Sequence, residues 1–147
     1  MKSMFLFAAL FSAGITHAQV KVDQLWVRGT VATQKSTGVF MSLTSDIPVN
    51  LVAASSPAAK IVEIHEMKIE ANVMKMHAVP KVDIVPGKVT ALKPGSYHIM
   101  LIDLVKPLSK GDSVPLTLEF KDADGKSSKQ EVTAEVRDLT SGPAAHK

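Results

Sequence analysis

Residues 61–76 read IVEIHEMKIEANVMKM, and this stretch decides the fold class. Apolar and polar residues alternate along it with a period of two, which is typical of β-strands. The alternation is interrupted once, at Ala71 and Asn72, where a two-residue turn would fold the second run back beside the first. The stretch therefore predicts a β-hairpin.

Both strands of this hairpin carry metal-binding residue types on one face. Successive side chains of a strand point to opposite faces, so Glu63, His65 and Met67 share a face of the first strand. Met74 and Met76 share a face of the second strand. A face that combines imidazole and thioether groups is not a simple apolar core face, and it indicates a candidate site.

Short runs with the same period recur along the chain, and Gly, Pro, Asp, Asn and Ser separate them as turns require. We predict nine strands, over residues 20–28, 38–43, 49–54, 61–69, 73–80, 89–92, 97–101, 114–120 and 130–136. No long stretch has the period of an amphipathic helix. The pattern predicts an all-β fold, an antiparallel β-sandwich or barrel formed by a single domain.

The N-terminus has the features of a secretory signal peptide. Lys2 precedes an apolar run over residues 4–15, which is too short to span a bilayer. Thr16 and Ala18 provide the small residues that a signal peptidase reads, so cleavage after Ala18 would leave 147 − 18 = 129 residues. The alternative is a short membrane anchor. The predicted division is a signal peptide over residues 1–18, a folded domain over 19–140 and a flexible tail over 141–147.

Composition excludes several classes of site. The chain has no Cys, which rules out disulfides, thiolate zinc sites, iron–sulfur clusters, c-type haem and a Cys-containing blue-copper centre. Loss of Lys2 with the signal peptide lowers the net charge from +3 to +2, and the basic residues are scattered. We therefore expect no nucleic-acid partner. We also expect no membrane span in the mature chain, and a monomer.

Methionine and histidine are concentrated in one part of the chain. Four of the five Met and three of the four His of the predicted mature chain lie between His65 and Met100. His98 shares a face of another predicted strand with Met100, so three strands could bring imidazoles and thioethers together. Such neutral, soft ligands suit Cu(I) better than zinc, calcium or magnesium. Because imidazole binds metal unprotonated, copper affinity should fall as the pH drops through about 6.5.

Three segments resemble the periplasmic copper chaperone family PCu(A)C. They are VEIHEMK at residues 62–68, VMKM at 73–76 and LKPGSYHIMLI at 92–102. The family motif is His, ten residues, Met, twenty-one residues, then His-x-Met, and this chain has that spacing at every step. The matching residues are His65, Met76, His98 and Met100. The resemblance extends over residues 22–136, which is nearly the whole predicted mature chain.

The resemblance implies a cupredoxin-like β-sandwich in the periplasm that binds Cu(I) near its surface through these four residues. It also implies delivery of copper to the CuA centre of cytochrome c oxidase. The implied partners are the apo CuA domain and, as a second candidate, a Sco-type thiol protein. Acceptor sites of this kind contain Cys thiolates, which are better ligands for Cu(I) than thioethers, so ligand softness gives the transfer a direction.

Other residues near the motif have open assignments. Met67 and Met74 are either auxiliary ligands or packing residues. Glu63 is a candidate hydrogen-bond acceptor that orients a ligating imidazole. His77 faces the other side of its strand by alternation, and His146 lies in the predicted tail, so neither is assigned to the site.

The nearest alternative is a periplasmic copper-storage or copper-resistance protein, which would use the same ligands. A copper enzyme is disfavoured because thioethers dominate the non-His ligands and no general base is evident. An electron-transfer cupredoxin would need a thiolate ligand. A purely structural or adhesive domain would leave the four-residue spacing as a coincidence. We therefore expect a copper carrier without enzymatic activity.

Overall fold

The computed structural model describes residues 20–138. The predicted signal peptide over residues 1–18 and the predicted tail over residues 141–147 lie outside this range. The described residues form strands and turns without a helix. Accordingly, this part of the chain contains no helix with the length and apolar character needed to cross a membrane.

Ten strands form one continuous sheet. They are β1 (Lys21–Arg28), β2 (Ser36–Thr44), β3 (Val49–Ser55), β4 (Ala59–Glu70), β5 (Val73–Ala78), β6 (Val82–Ile84), β7 (Thr90–Leu92), β8 (His98–Leu104), β9 (Ser113–Asp122) and β10 (Ser127–Arg137). Their order is β5-β4-β8-β2-β1-β10-β9-β3-β6, and β7 pairs with β2 beside this path. Within residues 20–138 the pairings are antiparallel, except that β1 and β10 are parallel.

The sheet encloses a single hydrophobic core. One cluster of buried side chains includes Ile64 of β4, Leu101 of β8 and Leu118 of β9. β3 contacts β4 although the two strands lie near opposite ends of the strand order. The sheet therefore curls back on itself and turns one face inward, where each large aliphatic side chain contributes about 1.5–3 kcal/mol by burial. This architecture confirms the predicted all-β fold.

One short strand was not predicted. β6 has three residues, and both Val82 and Ile84 are buried. A run of three residues flanked by prolines is too short to show a period of two. The other nine strands correspond to the nine predicted ones, with ends that shift by a few residues.

Candidate metal centre

The hairpin of β4 and β5 forms as predicted, around a two-residue turn. Ala71 and Asn72 have φ values of 49° and 63°, as a type I′ turn requires at both central positions. The resulting register sets Met67 directly opposite Met76. Because β5 is an end strand and all six of its residues are exposed, Met76 lies at an accessible edge of the sheet.

Strand β8 lies on the other side of β4, and its register completes the arrangement. His65 is paired with His98, and Glu63 is paired with Met100. Paired residues of adjacent strands project from the same face of a sheet. The neighbouring strands β5, β4 and β8 therefore bring all four predicted ligands to one face.

A cavity of about 290 Å³ opens on this face. Met67, Met76, His98 and Met100 contribute to its lining. His65 lies beside it, with its ring centroid 5.9 Å from that of His98. Met76 is 45% exposed, whereas His98 is 4% exposed. The predicted ligands therefore range from a buried imidazole, that of His98, to an exposed thioether, that of Met76.

A backbone hydrogen bond determines which nitrogen of His98 is available. Its Nδ1 lies 3.0 Å from the carbonyl oxygen of Ser96. A carbonyl oxygen can only accept, so Nδ1 carries the proton and Nε2 keeps its lone pair. Burial lowers the pKa of His98 below its usual value, against the opposing effect of the Ser96 hydrogen bond, and nearby His65 and Arg28 lower this pKa further. The ring is therefore in its metal-binding form at neutral pH.

The ring of His65 is oriented by Glu63 on the same strand. Nε2 of His65 lies 2.7 Å from Oε2 of Glu63. The carboxylate accepts the Nε2 proton, which leaves Nδ1 with the lone pair. This Nδ1 is buried and has no hydrogen-bond partner among residues 20–138. A buried polar atom without a partner is unfavourable, and a metal ion would satisfy it. Glu63 is thus hydrogen-bonded to His65, as its predicted orienting role requires, and that role stays a prediction.

The donor set fits a soft, low-charge cation. Two imidazoles, each with a free lone pair, lie opposite each other, and the thioethers of Met76 and Met100 line the adjoining cavity. Residues 20–138 contain no group of three or more His, Cys, Asp or Glu able to hold a metal ion. The assignment of the four ligands stays a sequence prediction, with which this geometry agrees.

The two candidate auxiliary methionines differ in position. Met67 lines the cavity, whereas Met74 is paired with Ile69 towards the hairpin turn and is not part of the lining. His77 faces the other side, as predicted, and its Nε2 lies 3.0 Å from Oε1 of Glu70.

The cavity wall also contains residues that were not singled out from the sequence, among them Arg28, Gly38 and Phe40. Gly38 is paired with Met100. The ring of Phe40 lies so close to Gly38 that a Cβ added there would come within 2.7 Å of its Cζ atom. The same ring has its centroid 6.2 Å from that of His98. Alternation along β2 predicts that Gly38 and Phe40 share a face. No local pattern in the sequence shows that β2 pairs with β8.

Comparison with known sequences finds a matching family and related proteins. Residues 20–136 match the family described as LpqE-like. Relatives include Lxx21020 of Leifsonia xyli subsp. xyli, named as a lipoprotein, which is 29% identical over 104 residues, or 70% of this chain. RP573 of Rickettsia prowazekii is 32% identical over 111 residues, or 71% of this chain. The matches span 63% and 61% of these two relatives, which is less than two thirds of their length.

Solved structures with a similar fold include PCuAC domains. The apo PCuAC domain of PmoF1 matches with a TM-score of 0.67 at 22% identity, over 83% of this chain and 97% of that domain, which shows the fold. Apo-DR1885 of Deinococcus radiodurans is 28% identical, with a TM-score of 0.62, over 97% of this chain and 94% of that chain. Its Cu(I) form is 29% identical, with a TM-score of 0.58, over 85% and 83%. The comparisons confirm the resemblance to PCu(A)C proteins.

Proposed function

We propose that this chain, which belongs to the LpqE-like family and has the fold of PCuAC domains, is a copper chaperone that binds one Cu(I) ion. The proposed ligands are His65, Met76, His98 and Met100. The likeness to DR1885, which has been solved with Cu(I) bound, supports the choice of ion. The proposed location is the periplasm, in keeping with the predicted signal peptide and the lipoprotein relative.

The direct pairing of His65 with His98 carries this proposal. Each ring has one nitrogen occupied by a hydrogen bond, to Glu63 or to the Ser96 carbonyl. Each ring therefore keeps one nitrogen for a metal. Two fixed imidazole lone pairs beside flexible thioethers make a site that suits Cu(I).

The open side of the cavity supports transfer of copper to another protein. Met76 lies on an edge strand and is 45% exposed, so an incoming ligand can reach the ion from that side while the imidazoles still hold it. Neutral ligands hold Cu(I) less firmly than thiolates do. We propose the apo CuA domain of cytochrome c oxidase as the acceptor, with a Sco-type thiol protein as a second candidate partner. The proposed role is that of a carrier and not of an enzyme.

Titration of the purified mature protein with Cu(I), against a chromophoric chelator under anaerobic reducing conditions, tests the site. We expect one bound copper, and at least tenfold weaker binding in each of the variants His65→Ala, Met76→Ala, His98→Ala and Met100→Ala. Met74→Ala is the matched control, because Met74 is on the same hairpin but outside the cavity lining, and it should bind like the wild type. Wild-type affinity in all four site variants would overturn the assignment.

Mixing the copper-loaded protein with an apo CuA domain tests the chaperone role. Transfer should appear as the growth of the acceptor's copper absorption, directly or with a thiol reductant and a Sco-type protein present. A protein that binds Cu(I) tightly but transfers none under these conditions would instead be a storage or resistance protein.

A further inference from the structure

Arg28 is a cation that lies beside the proposed copper site. It lines the cavity, and its guanidinium carbon lies 5.5 Å from the centroid of the Phe40 ring, in a cation–π arrangement. Within residues 20–138 it forms no ion pair, and its buried Nε has no hydrogen-bond partner. An arginine side chain stays protonated in proteins. Its positive charge is therefore permanent and is not neutralised by a carboxylate in this range.

The surroundings of Phe40 bring this charge close to the proposed ligands. Arg28 and His98 both pack near the Phe40 ring, at 5.5 Å and 6.2 Å. In the sheet, Gly38 is paired with Met100, and the β1–β2 register, continued by one residue, sets Arg28 beside Gly38. Arg28 and Met100 are thus two strands apart, about 10 Å at the backbone. Gly38, which has no side chain, lies between them in the sheet, and both Arg28 and Met100 line the cavity.

We propose that Arg28 makes the site selective for Cu(I) over Cu(II), an inference that rests on the proposed copper site. A fixed positive charge repels a divalent ion twice as strongly as a monovalent ion at the same position. The four proposed ligands are neutral and offset none of this repulsion. The reduction Cu(II) + e⁻ → Cu(I) removes one unit of charge from the neighbourhood of Arg28, so Arg28 favours the reduced ion without touching it.

The expected effect is modest and measurable. At a separation of about 10 Å and an effective dielectric constant of about 40, one unit charge changes the ratio of the two dissociation constants by roughly fourfold. For a one-electron couple this corresponds to about 35 mV, since tenfold is 59 mV. The carboxylate of Glu63, 2.7 Å from Nε2 of His65, acts in the opposite sense, but it is present in all the variants compared and does not alter the difference between them.

Arg137 provides a matched control. Its guanidinium carbon lies 5.6 Å from the centroid of the Trp26 ring, so it makes the same type of contact as Arg28. It belongs to β10, one strand farther from the proposed ligands, and it does not line the cavity. Because it is paired with Arg28 and lies about 14 Å from Met100 at the backbone, loss of its charge should affect copper less than loss of the Arg28 charge, by about 2.5-fold against fourfold.

The test compares the wild type with Arg28→Gln, Arg28→Lys and Arg137→Gln. The dissociation constants for Cu(I) and Cu(II) are measured separately by competition, and the midpoint potential by spectroelectrochemistry. We expect Arg28→Gln to reduce the preference for Cu(I) about fourfold and to lower the potential. Arg28→Lys should keep both values close to those of the wild type because it keeps the charge, and Arg137→Gln should change both by less than Arg28→Gln does. Circular dichroism verifies folding, and Arg28→Met replaces Arg28→Gln if the latter does not fold.

The inference would be overturned by an unchanged ratio in the neutral Arg28 variant, or by an equal shift in Arg28→Gln and Arg28→Lys. An equal shift in Arg137→Gln would also overturn it, because the effect would then not depend on proximity. These failures are distinct from failure of the proposed function, which would appear as a wild-type protein that does not bind Cu(I) at all.

Discussion

The hydrogen bond between Glu63 and His65 sets the tautomer of a proposed copper ligand. Without the carboxylate, Nε2 is no longer held as the protonated nitrogen, and the ring can rotate away from the cavity. We expect Glu63→Ala to weaken Cu(I) binding by about 10- to 100-fold, the usual effect of removing a partner of a metal-bound His. The competition titration measures it.

Glu66→Ala is the control for this experiment. Glu66 lies on the opposite face of β4 and pairs with Lys68 at 3.3 Å, so its removal should leave copper affinity unchanged. Equal affinities of the Glu63 and Glu66 variants would contradict the role given to Glu63.

The buried ring of His98 predicts a pH dependence of the apo protein. Burial lowers the pKa of His98 in the folded state, so the unfolded chain takes up this proton first as the pH falls. The stability that comes from the neutral ring is complete above about 6.5, the ordinary value, and is lost as the pH falls towards the lowered folded-state pKa. Urea unfolding of the apo protein between about pH 7.5 and 5 should show a declining free energy of unfolding.

The variant His98→Asn isolates this contribution. This variant keeps the other titrating groups. Its free energy of unfolding should therefore decline less over the same pH range than that of the wild type. Parallel declines in the two proteins would show that His98 does not contribute. In copper titrations, the same lowered pKa means that proton competition at His98 begins at a lower pH than for an ordinary imidazole.

Gly38 leaves room for the ring that forms one wall of the cavity. A Cβ at this position would come within 2.7 Å of Phe40 Cζ, so Gly38→Ala must displace the ring. We expect a loss of about 1–3 kcal/mol in the free energy of unfolding, measured by urea titration. In the double variant with Phe40→Leu, the combined loss should be smaller than the sum of the two single losses. Additive losses would contradict a direct clash.

At the level of elements, the turn between β4 and β5 holds a residue in an unfavourable conformation. Ala71 has a φ of 49°, which costs a residue with a Cβ roughly 1 kcal/mol. Asn adopts this conformation more readily and is preferred at this position of a type I′ turn. We expect Ala71→Asn to raise the free energy of unfolding by about 0.5 kcal/mol in thermal or urea unfolding. Asn72→Ala should lower it, and a change of the same sign in both variants would contradict the turn assignment.

The hairpin that carries Met76 was predictable because its determinants are local. The alternation of residues 61–76 and the two-residue turn set the register of β4 against β5. The position of β8 beside β4 depends on pairing between segments far apart in the sequence, and no local pattern specifies that choice. The pairing of His65 with His98 and the wall formed by Gly38 and Phe40 could therefore be read only from the structure.

At the level of the whole molecule, the fold class followed from the period of two and the spacing of turns. The parallel pairing of β1 with β10 did not, because alternation is the same in parallel and antiparallel strands that have one exposed face. This pairing joins the first and last strands in the middle of the strand order. Alternation does not show which distant strands are paired. The spacing of the PCu(A)C motif nevertheless identified four residues, His65, Met76, His98 and Met100, that this topology brings to one face.

Copper should change the dynamics of the molecule mainly through its least buried strand. β5 has no buried residue and is held on one side only, by β4, so its amides should be among the faster to exchange with deuterium. Binding of Cu(I) by Met76 together with His65 and His98 would link β5 across β4 to β8. We expect exchange in β5 and the adjoining turn to slow at least tenfold on copper binding, as measured by hydrogen–deuterium exchange mass spectrometry.

The hairpin of β9 and β10 serves as the internal reference for this experiment, because it lies far from β5 in the strand order. It should report only the global stabilisation by a bound ligand, about 2.7 kcal/mol at a free copper concentration 100 times the dissociation constant. In Met76→Ala, residual copper binding should no longer slow β5 selectively, since the link to this strand is lost. If copper slowed both hairpins of the wild type equally, β5 would not be tied to the ion, and Met76 would not be a ligand.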